Sequence, residues 1–151
     1  LALEMCERAE LSEAVADAVI GLGLPVWIGV SARTHQGQTE LATASYADCS
    51  FEETVKRISS YPVDLVNIMH TQVPDVDRAF EIVRRYWSGP VGIYPESGFF
   101  TMPNWNFVDV ISPEDLVAEA NIWVKNGVRL LGGCCGLGPD HIRALADMDC
   151  E

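Results

Sequence analysis

Apolar runs of strand length alternate with amphipathic segments from one end of the chain to the other, and this repeat constrains the fold more than any other feature of the sequence. Residues 1–5, 25–30, 63–69, 91–94 and 128–131 read as strands, each short, apolar and bounded by turn-forming residues. Between them the apolar residues fall at helical spacing. Ser12 opens the first such stretch, which carries Ala14, Val15, Ala18, Val19 and Leu22 and ends near Gly21 and Gly23. Ser50 is placed to cap a helix over residues 52–59, with Glu53 in the capping-box position. A third helix spans residues 75–86, and a fourth runs from Ser112-Pro113-Glu114-Asp115 to Asn126-Gly127. Pro139 opens a last helix at its first turn, while the polar stretch 31–38 reads as loop. A strand, helix and strand in series close as parallel neighbours joined by a crossover, so the chain is α/β with a parallel sheet. An open doubly wound sheet accommodates five strands. A barrel of eight βα units takes about 250 residues, so these 151 residues supply part of one. Periodicity alone leaves both architectures open.

Composition narrows the function. With 48% hydrophobic residues in 151, the chain can build one sizeable core and not two, and it shows no low-complexity segment, linker or internal repeat. A net charge of −12 repels nucleic acid phosphates and anionic lipid, so neither is expected as a partner. Small molecules or protein remain, and a homo-oligomer is left open. No apolar run approaches the roughly 20 residues that span a bilayer. Five cysteines, odd in number and without regular spacing, argue against a disulfide scaffold and for a reducing, cytoplasmic setting. The chain starts at Leu1, inside a strand, and reads as truncated at its amino end.

The chemistry-bearing segment is Gly132-Gly133-Cys134-Cys135-Gly136, between the last strand and the last helix. Parallel α/β folds place their chemistry on loops leaving the carboxyl ends of strands, and these thiols lie on such a loop. Neighbouring cysteines rarely bond each other, because a disulfide between them is strained. Two thiolates on one soft divalent ion is the better reading, with a tight turn holding two unliganded thiols as the plainer alternative. Zinc is favoured by thiolate softness and by its tolerance of tetrahedral geometry; a catalytic zinc takes about three protein ligands and keeps one position for substrate. A third ligand must come from elsewhere in the chain.

Leu130-Leu131-Gly132-Gly133-Cys134-Cys135-Gly136, followed by Pro139-Asp140-His141-Ile142-Arg143-Ala144-Leu145, is similar to the carboxyl-terminal signature of the homocysteine S-methyltransferases. That group includes the betaine- and S-methylmethionine-dependent enzymes and the homocysteine-binding domain of cobalamin-dependent methionine synthase. The likeness covers most of the chain. Leu3-Glu4-Met5 resembles the family's Glu-Thr strand end, Pro25-Val26-Trp27-Ile28 its next strand, Tyr94-Pro95-Glu96-Ser97-Gly98 its Tyr-Pro-Asn-Ala-Gly loop, and Trp123 with Asn126-Gly127 its last helix. The resemblance implies a TIM-type (β/α)8 barrel of which this chain holds the five carboxyl-terminal βα units. Residues 1–151 are then a partial homocysteine-binding domain with exposed strand edges, inactive alone because the glycine-rich amino-terminal loop is missing.

The resemblance also implies a zinc site whose third thiolate comes from an Asn-Cys pair at the end of the sixth strand. A register without gaps puts Met69-His70 there, so His70 stands in place of the cysteine beside Cys134 and Cys135. A register matching Asn67-Ile68 would leave no ligand and need two extra residues in the loop. One histidine with two cysteines is an established set for catalytic zinc. Glu4, by resemblance, holds the substrate ammonium through a charge-assisted contact.

The implied activity is methyl transfer to the thiol of homocysteine, or a related thiol, giving methionine. A free thiol has a pKa of about 8.5 and is a poor nucleophile when protonated, and zinc supplies the deprotonation. Exchanging a thiolate ligand for neutral imidazole removes one negative charge from the centre, which makes the bound sulfur more acidic and less nucleophilic. A non-catalytic binding homologue with a degenerate metal site is the competing reading, a selenol acceptor a second enzymatic one, and a thiol redox sensor a remoter one. Plainer roles stand beside each assignment: a hydrogen-bonded strand-end His70, a solvated Glu4, and a Tyr94 that is core or, with Glu96-Ser97-Gly98, pocket wall. His35 and His141 read as surface or helix-start residues, Cys6, Cys49 and Cys150 as incidental thiols, and Trp105, Phe107 and Trp123 as packing.

Overall fold

The computed structural model of the chain describes residues 1–103 and 106–148, so Trp105 and Cys150 lie outside the described residues. In chain order the elements are β1 (Ala2–Leu3), α1 (Ala9–Val19), β2 (Trp27–Val30), β3 (Ala32–Arg33), β4 (Ala42–Thr43), α2 (Phe51–Ile58) and β5 (Leu65–Gln72). There follow α3 (Val73–Tyr86), β6 (Val91–Glu96), β7 (Phe99–Thr101), β8 (Asn106–Val108), α4 (Pro113–Lys125), β9 (Val128–Leu131) and α5 (Pro139–Ala146).

Five strands form one parallel sheet in the order β1-β2-β5-β6-β9. Spatial order and chain order coincide. A doubly wound sheet reverses its order at a switch point, so this topology departs from that alternative and is consistent with a partial TIM-type domain. Among the described residues no helix is long and apolar enough to cross a membrane.

One face of the sheet is the core. The rows Ile28–Val66–Val91 and Val30–Ile68–Ile93 run across three strands. They form one buried cluster with Val55 and Ile58 of α2, Val76, Ala79 and Val83 of α3, and Leu116 and Ala120 of α4. Each fully buried aliphatic side chain contributes about 1.5–3 kcal/mol, and together they hold the strand ends in register. The opposite face carries the row Gly29–Asn67–Gly92–Leu130. Asn67 is buried there, and its Oδ1 lies only 2.0 Å from where a Cβ on Gly92 would stand, so position 92 accepts no side chain.

Most elements follow the sequence, and the exceptions have local causes. Ser50 caps α2, its hydroxyl accepting the Glu53 amide at 3.3 Å, and Ser112 caps α4 by accepting the Asp115 amide at 3.1 Å. Ser12 does not cap α1. The helix begins at Ala9, and the Ser12 hydroxyl donates to the Arg8 carbonyl one turn back at 2.8 Å, the other local bond open to serine. Two antiparallel ribbons, β3–β4 and β7–β8, sit beyond the carboxyl ends of β2 and β6. Their strands of two or three residues are too short for an alternating pattern to announce them.

Candidate metal centre

The carboxyl end of the sheet gathers the chemistry. Beyond β9 the chain keeps the ladder with β6: Gly132 N–H donates to Ile93 O at 3.0 Å, Cys134 N–H to Pro95 O at 2.9 Å, and Ser97 N–H to Cys135 O at 3.0 Å. The double-cysteine loop is therefore backbone-fixed before its thiols do anything. On β5, the register with β6 shifts between Met69 and Gln72, and His70 adopts a φ of 45°, left-handed backbone that costs a non-glycine residue about 1–3 kcal/mol. The Thr71 hydroxyl pins this kink, accepting from Ala32 N–H and donating to Met69 O, both at 2.9 Å.

The result is a convergence. His70 Nδ1 stands 3.7 Å from Cys134 Sγ, the two sulfurs stand 3.8 Å apart and unbonded, and the three donor atoms lie within 4.8 Å of one another. Around a tetrahedral zinc, bonds of about 2.3 Å to sulfur and 2.0–2.1 Å to nitrogen place two sulfurs roughly 3.8 Å apart and sulfur and nitrogen roughly 3.5 Å apart. The two spacings of 3.7 and 3.8 Å lie near those values, and the three donors are within 4.8 Å of one another. Asn67, the residue of the other register, lies on the sheet face against Gly92, away from this cluster.

Glu96 shares with Cys134 the same nitrogen of His70. Its Oε2 is 2.8 Å from His70 Nδ1, while its Oε1 accepts from Arg33 Nη2 at 2.6 Å and Gln72 Nε2 at 3.1 Å. A cavity of about 480 Å³ opens beside them, lined among others by Arg33, Asp75, Phe99, Phe107 and Cys135. Glu96 entered the sequence reading only as pocket wall, and Arg33 and Gln72 carried no signal, since nothing in a single sequence ties a ribbon arginine to a strand end.

These contacts set the protonation states. The Cys134 sulfur, and after it Glu96, push the His70 imidazole up to about 10. His70 in turn holds the Cys134 thiol below its ordinary range, against the opposing effect of burial. Burial, followed by the neighbouring Cys134, pushes Cys135 up. Burial also works to raise Glu96, but His70 and Arg33 outweigh it and hold the carboxyl low. Tyr94 is raised by burial first, then by the charges of Glu4 and Cys134, so its phenol keeps its proton, and its hydroxyl meets Met69 Sδ at 3.6 Å. At neutral pH both His70 and Cys135 are therefore protonated, and metal uptake must displace at least two protons. The apparent affinity should rise at least about a hundredfold per pH unit between about pH 6 and 8, read by competition with a chelator of known affinity; a flat profile would mean other donors hold the metal.

The remaining sequence assignments fall as follows. Trp123 is buried and donates to Asp77 Oδ1 at 3.0 Å, and Cys6 is buried against the β1–α1 loop, 3.5 Å from Leu3 O. His141, in the first turn of α5, accepts from Gly138 N–H at 3.1 Å, and its Nε2 bonds Ile111 O at 2.8 Å. His35 bonds Thr43 O at 2.8 Å and ties β4 to the loop after β3.

Known proteins resemble this chain in sequence. The chain is 29% identical over 124 residues to the homocysteine S-methyltransferase YbgG of Bacillus subtilis (strain 168), a match over 80% of this chain and 36% of that protein. It is 25% identical over 125 residues to the selenocysteine methyltransferase of Astragalus bisulcatus, over 80% of this chain and 35% of that one. Homocysteine S-methyltransferase 3 of Zea mays is 36% identical over a shorter stretch of 66 residues, 42% of this chain and 20% of that protein. The chain thus spans about a third of the length of the first and second of these relatives. The sequence model of the homocysteine S-methyltransferases matches residues 1–148, and the chain belongs to that family.

Proposed function

We propose that the chain is the carboxyl-terminal part of a zinc-dependent methyltransferase acting on the thiol of homocysteine or a closely related thiol, with methionine the product from homocysteine. The observation that carries this reading is the convergence of one imidazole and two thiols, from two strand ends, on the spacing of a single soft cation. His70, Cys134 and Cys135 would hold the zinc, and a set of three protein donors would leave room for the substrate sulfur. Bound there, zinc would supply Lewis acidity that favours the thiolate form of a substrate thiol whose free pKa is about 8.5.

The chain's own residues do the rest. Glu4, at the end of β1, binds the substrate ammonium. Tyr94, held protonated chiefly by burial, serves as a hydrogen-bond donor and does not compete as an anionic ligand. Arg33, Gln72 and Glu96 line the cavity floor and keep it polar beside the phenylalanines of the β7–β8 ribbon.

The rest of a (β/α)8 barrel completes the domain. Its support is the sequential strand order, the share of the relatives' length that the chain spans, and the exposed apolar flank of α1 and the β1 side. On that flank Leu11 and Leu22 are each 62% exposed and Leu24 55%, an apolar strip suited to packing by further βα units. A selenol acceptor is a second reading, favoured by the relative named selenocysteine methyltransferase.

The test is substrate binding, at pH 7, to the zinc-loaded full-length protein that carries this chain, with proton release followed by calorimetry in buffers of different ionisation enthalpy. Homocysteine should bind and release about one proton, because its thiol is taken as thiolate, whereas homoserine, which lacks the sulfur, should not bind measurably. Equal binding of the two, or no uptake of zinc, overturns the proposal.

A further inference from the structure

We propose that His141 is a positioning residue for the double-cysteine loop: its ring closes a hydrogen-bonded circuit through Ile111 and Ser97 that holds residues 134–138 in the arrangement a cation needs. The inference rests on the metal reading above. His141 stands in the first turn of α5, and backbone groups take both of its ring nitrogens. Nδ1 accepts from Gly138 N–H at 3.1 Å, so the ring proton is on Nε2, which donates to Ile111 O at 2.8 Å. Ile111 is held from its other side as well, its N–H donating to Ser97 Oγ at 2.8 Å. Ser97 is 6% exposed, and its own N–H donates to Cys135 O at 3.0 Å. The circuit thus runs from Cys135 through Ser97, Ile111 and His141 to Gly138, and the cysteine loop is the segment that completes it.

Helix capping accounts for only half of these bonds. A side chain in the first turn that reaches back to the N-cap amide satisfies one orphan donor of the helix and needs nothing from Ile111. The bond to Ile111 O instead joins α5 to a residue 30 positions earlier, between the β7–β8 ribbon and α4. Its place in the loop gives it a use. The bonds from Cys134 N–H to Pro95 O and from Ser97 N–H to Cys135 O tie the entry of the loop to β6 and the turn after it, whereas His141 ties the exit to the segment before α4. A loop held at both ends keeps its two thiols at one spacing before metal arrives. Freed at its exit, it spends part of its time in other arrangements, and the apparent affinity falls with the competent fraction.

Two variants of nearly equal shape, made in the full-length protein that carries this chain, separate this role from capping. In His141→Gln the side-chain amide offers an acceptor to Gly138 N–H and a donor to Ile111 O, whereas His141→Glu keeps the cap and has no donor for Ile111 O. In zinc competition titrations at pH 7, His141→Gln should stay within about threefold of wild type, and His141→Glu should bind about tenfold or more weakly although its added negative charge favours a cation. Ser97→Ala, which releases the other side of Ile111, should cost a similar factor, and combining it with His141→Glu should cost little more than either alone. In metal-free protein the Cys134 amide should exchange its hydrogen faster in His141→Glu than in His141→Gln. Wild-type affinity in His141→Glu, or an equal loss in both variants, overturns the role of His141 while leaving the metal site standing. Wild-type protein that takes up no zinc overturns the metal reading and this inference with it. Should His141→Glu fail to fold, Ser97→Ala decides the point, and wild-type zinc affinity there overturns the circuit.

Discussion

Replacing Cys134 with serine should weaken zinc binding by about a hundred- to a thousandfold and leave the fold intact. Structural zinc in small domains is bound with roughly 10–16 kcal/mol spread over four ligands, so one thiolate accounts for some 2.5–4 kcal/mol. Cys134 is also the principal partner of the His70 proton, the first cause of the imidazole's rise to about 10. Cys134→Ser should therefore also lower the His70 pKa, measurable by NMR titration of the ring in metal-free chain. The direction follows from the charge lost, since a serine hydroxyl offers no anion to hold the proton. The fold should not notice. Position 134 is held by its backbone, through Cys134 N–H to Pro95 O and Leu137 N–H to Cys134 O, and serine keeps both bonds. Cys135→Ser should cost similar affinity while changing the His70 titration much less, because His70 Nδ1 faces Cys134. Zinc binding unaffected by either change would remove the thiols from the metal site.

Gly136→Ala should be the most damaging single change to the cysteine loop, by about 3 kcal/mol or more. Gly136 has a φ of 81°, where a side chain is strained in itself, and a Cβ there would stand 2.0 Å from the Ser97 carbonyl oxygen and 3.1 Å from its carbon. Both obstacles are backbone and cannot rotate aside. Relief requires the loop to part from β6, and the bond from Ser97 N–H to Cys135 O is the one that has to stretch. The unfolding midpoint in urea should fall and zinc affinity should fall with it, since the displaced carbonyl belongs to a ligand residue. Gly138→Ala is the control. Nothing lies within 4 Å of its added Cβ and its φ is −98°, so it should cost about 1 kcal/mol or less, the scale of a helix N-cap. Equal midpoints for the two variants would contradict the geometry of the loop.

What could be read from the sequence was whatever repeats or punctuates. The capping serines 50 and 112 gave helix starts that stand in the structure, and residues 128–131 emerged as β9 without adjustment. Ser12 misled because serine in a first turn can equally bond back to the carbonyl four residues earlier. Strand order lay beyond periodicity: five βα units read the same whether the sheet reverses or not, and only pairing separates the two. At the site, Cys134 and Cys135 stood out because two thiols among glycines have few other uses. His70 required a register, and the kink at residues 69–72 that turns it toward the thiols has no sequence signature of its own. Glu96 was hidden for a further reason. Its contacts are with His70 and Arg33, which the fold brings to it from two other strands.

The claim that His70, Cys134 and Cys135 together hold a soft cation is tested most directly by X-ray absorption at the zinc edge of the metal-loaded chain. The account predicts two sulfur scatterers at about 2.3 Å and imidazole scattering from a nitrogen at about 2.0–2.1 Å, with the imidazole signal lost in His70→Cys and one sulfur lost in Cys134→Ser. A first shell of oxygen and nitrogen alone, or sulfur scattering without an imidazole that depends on His70, would contradict it.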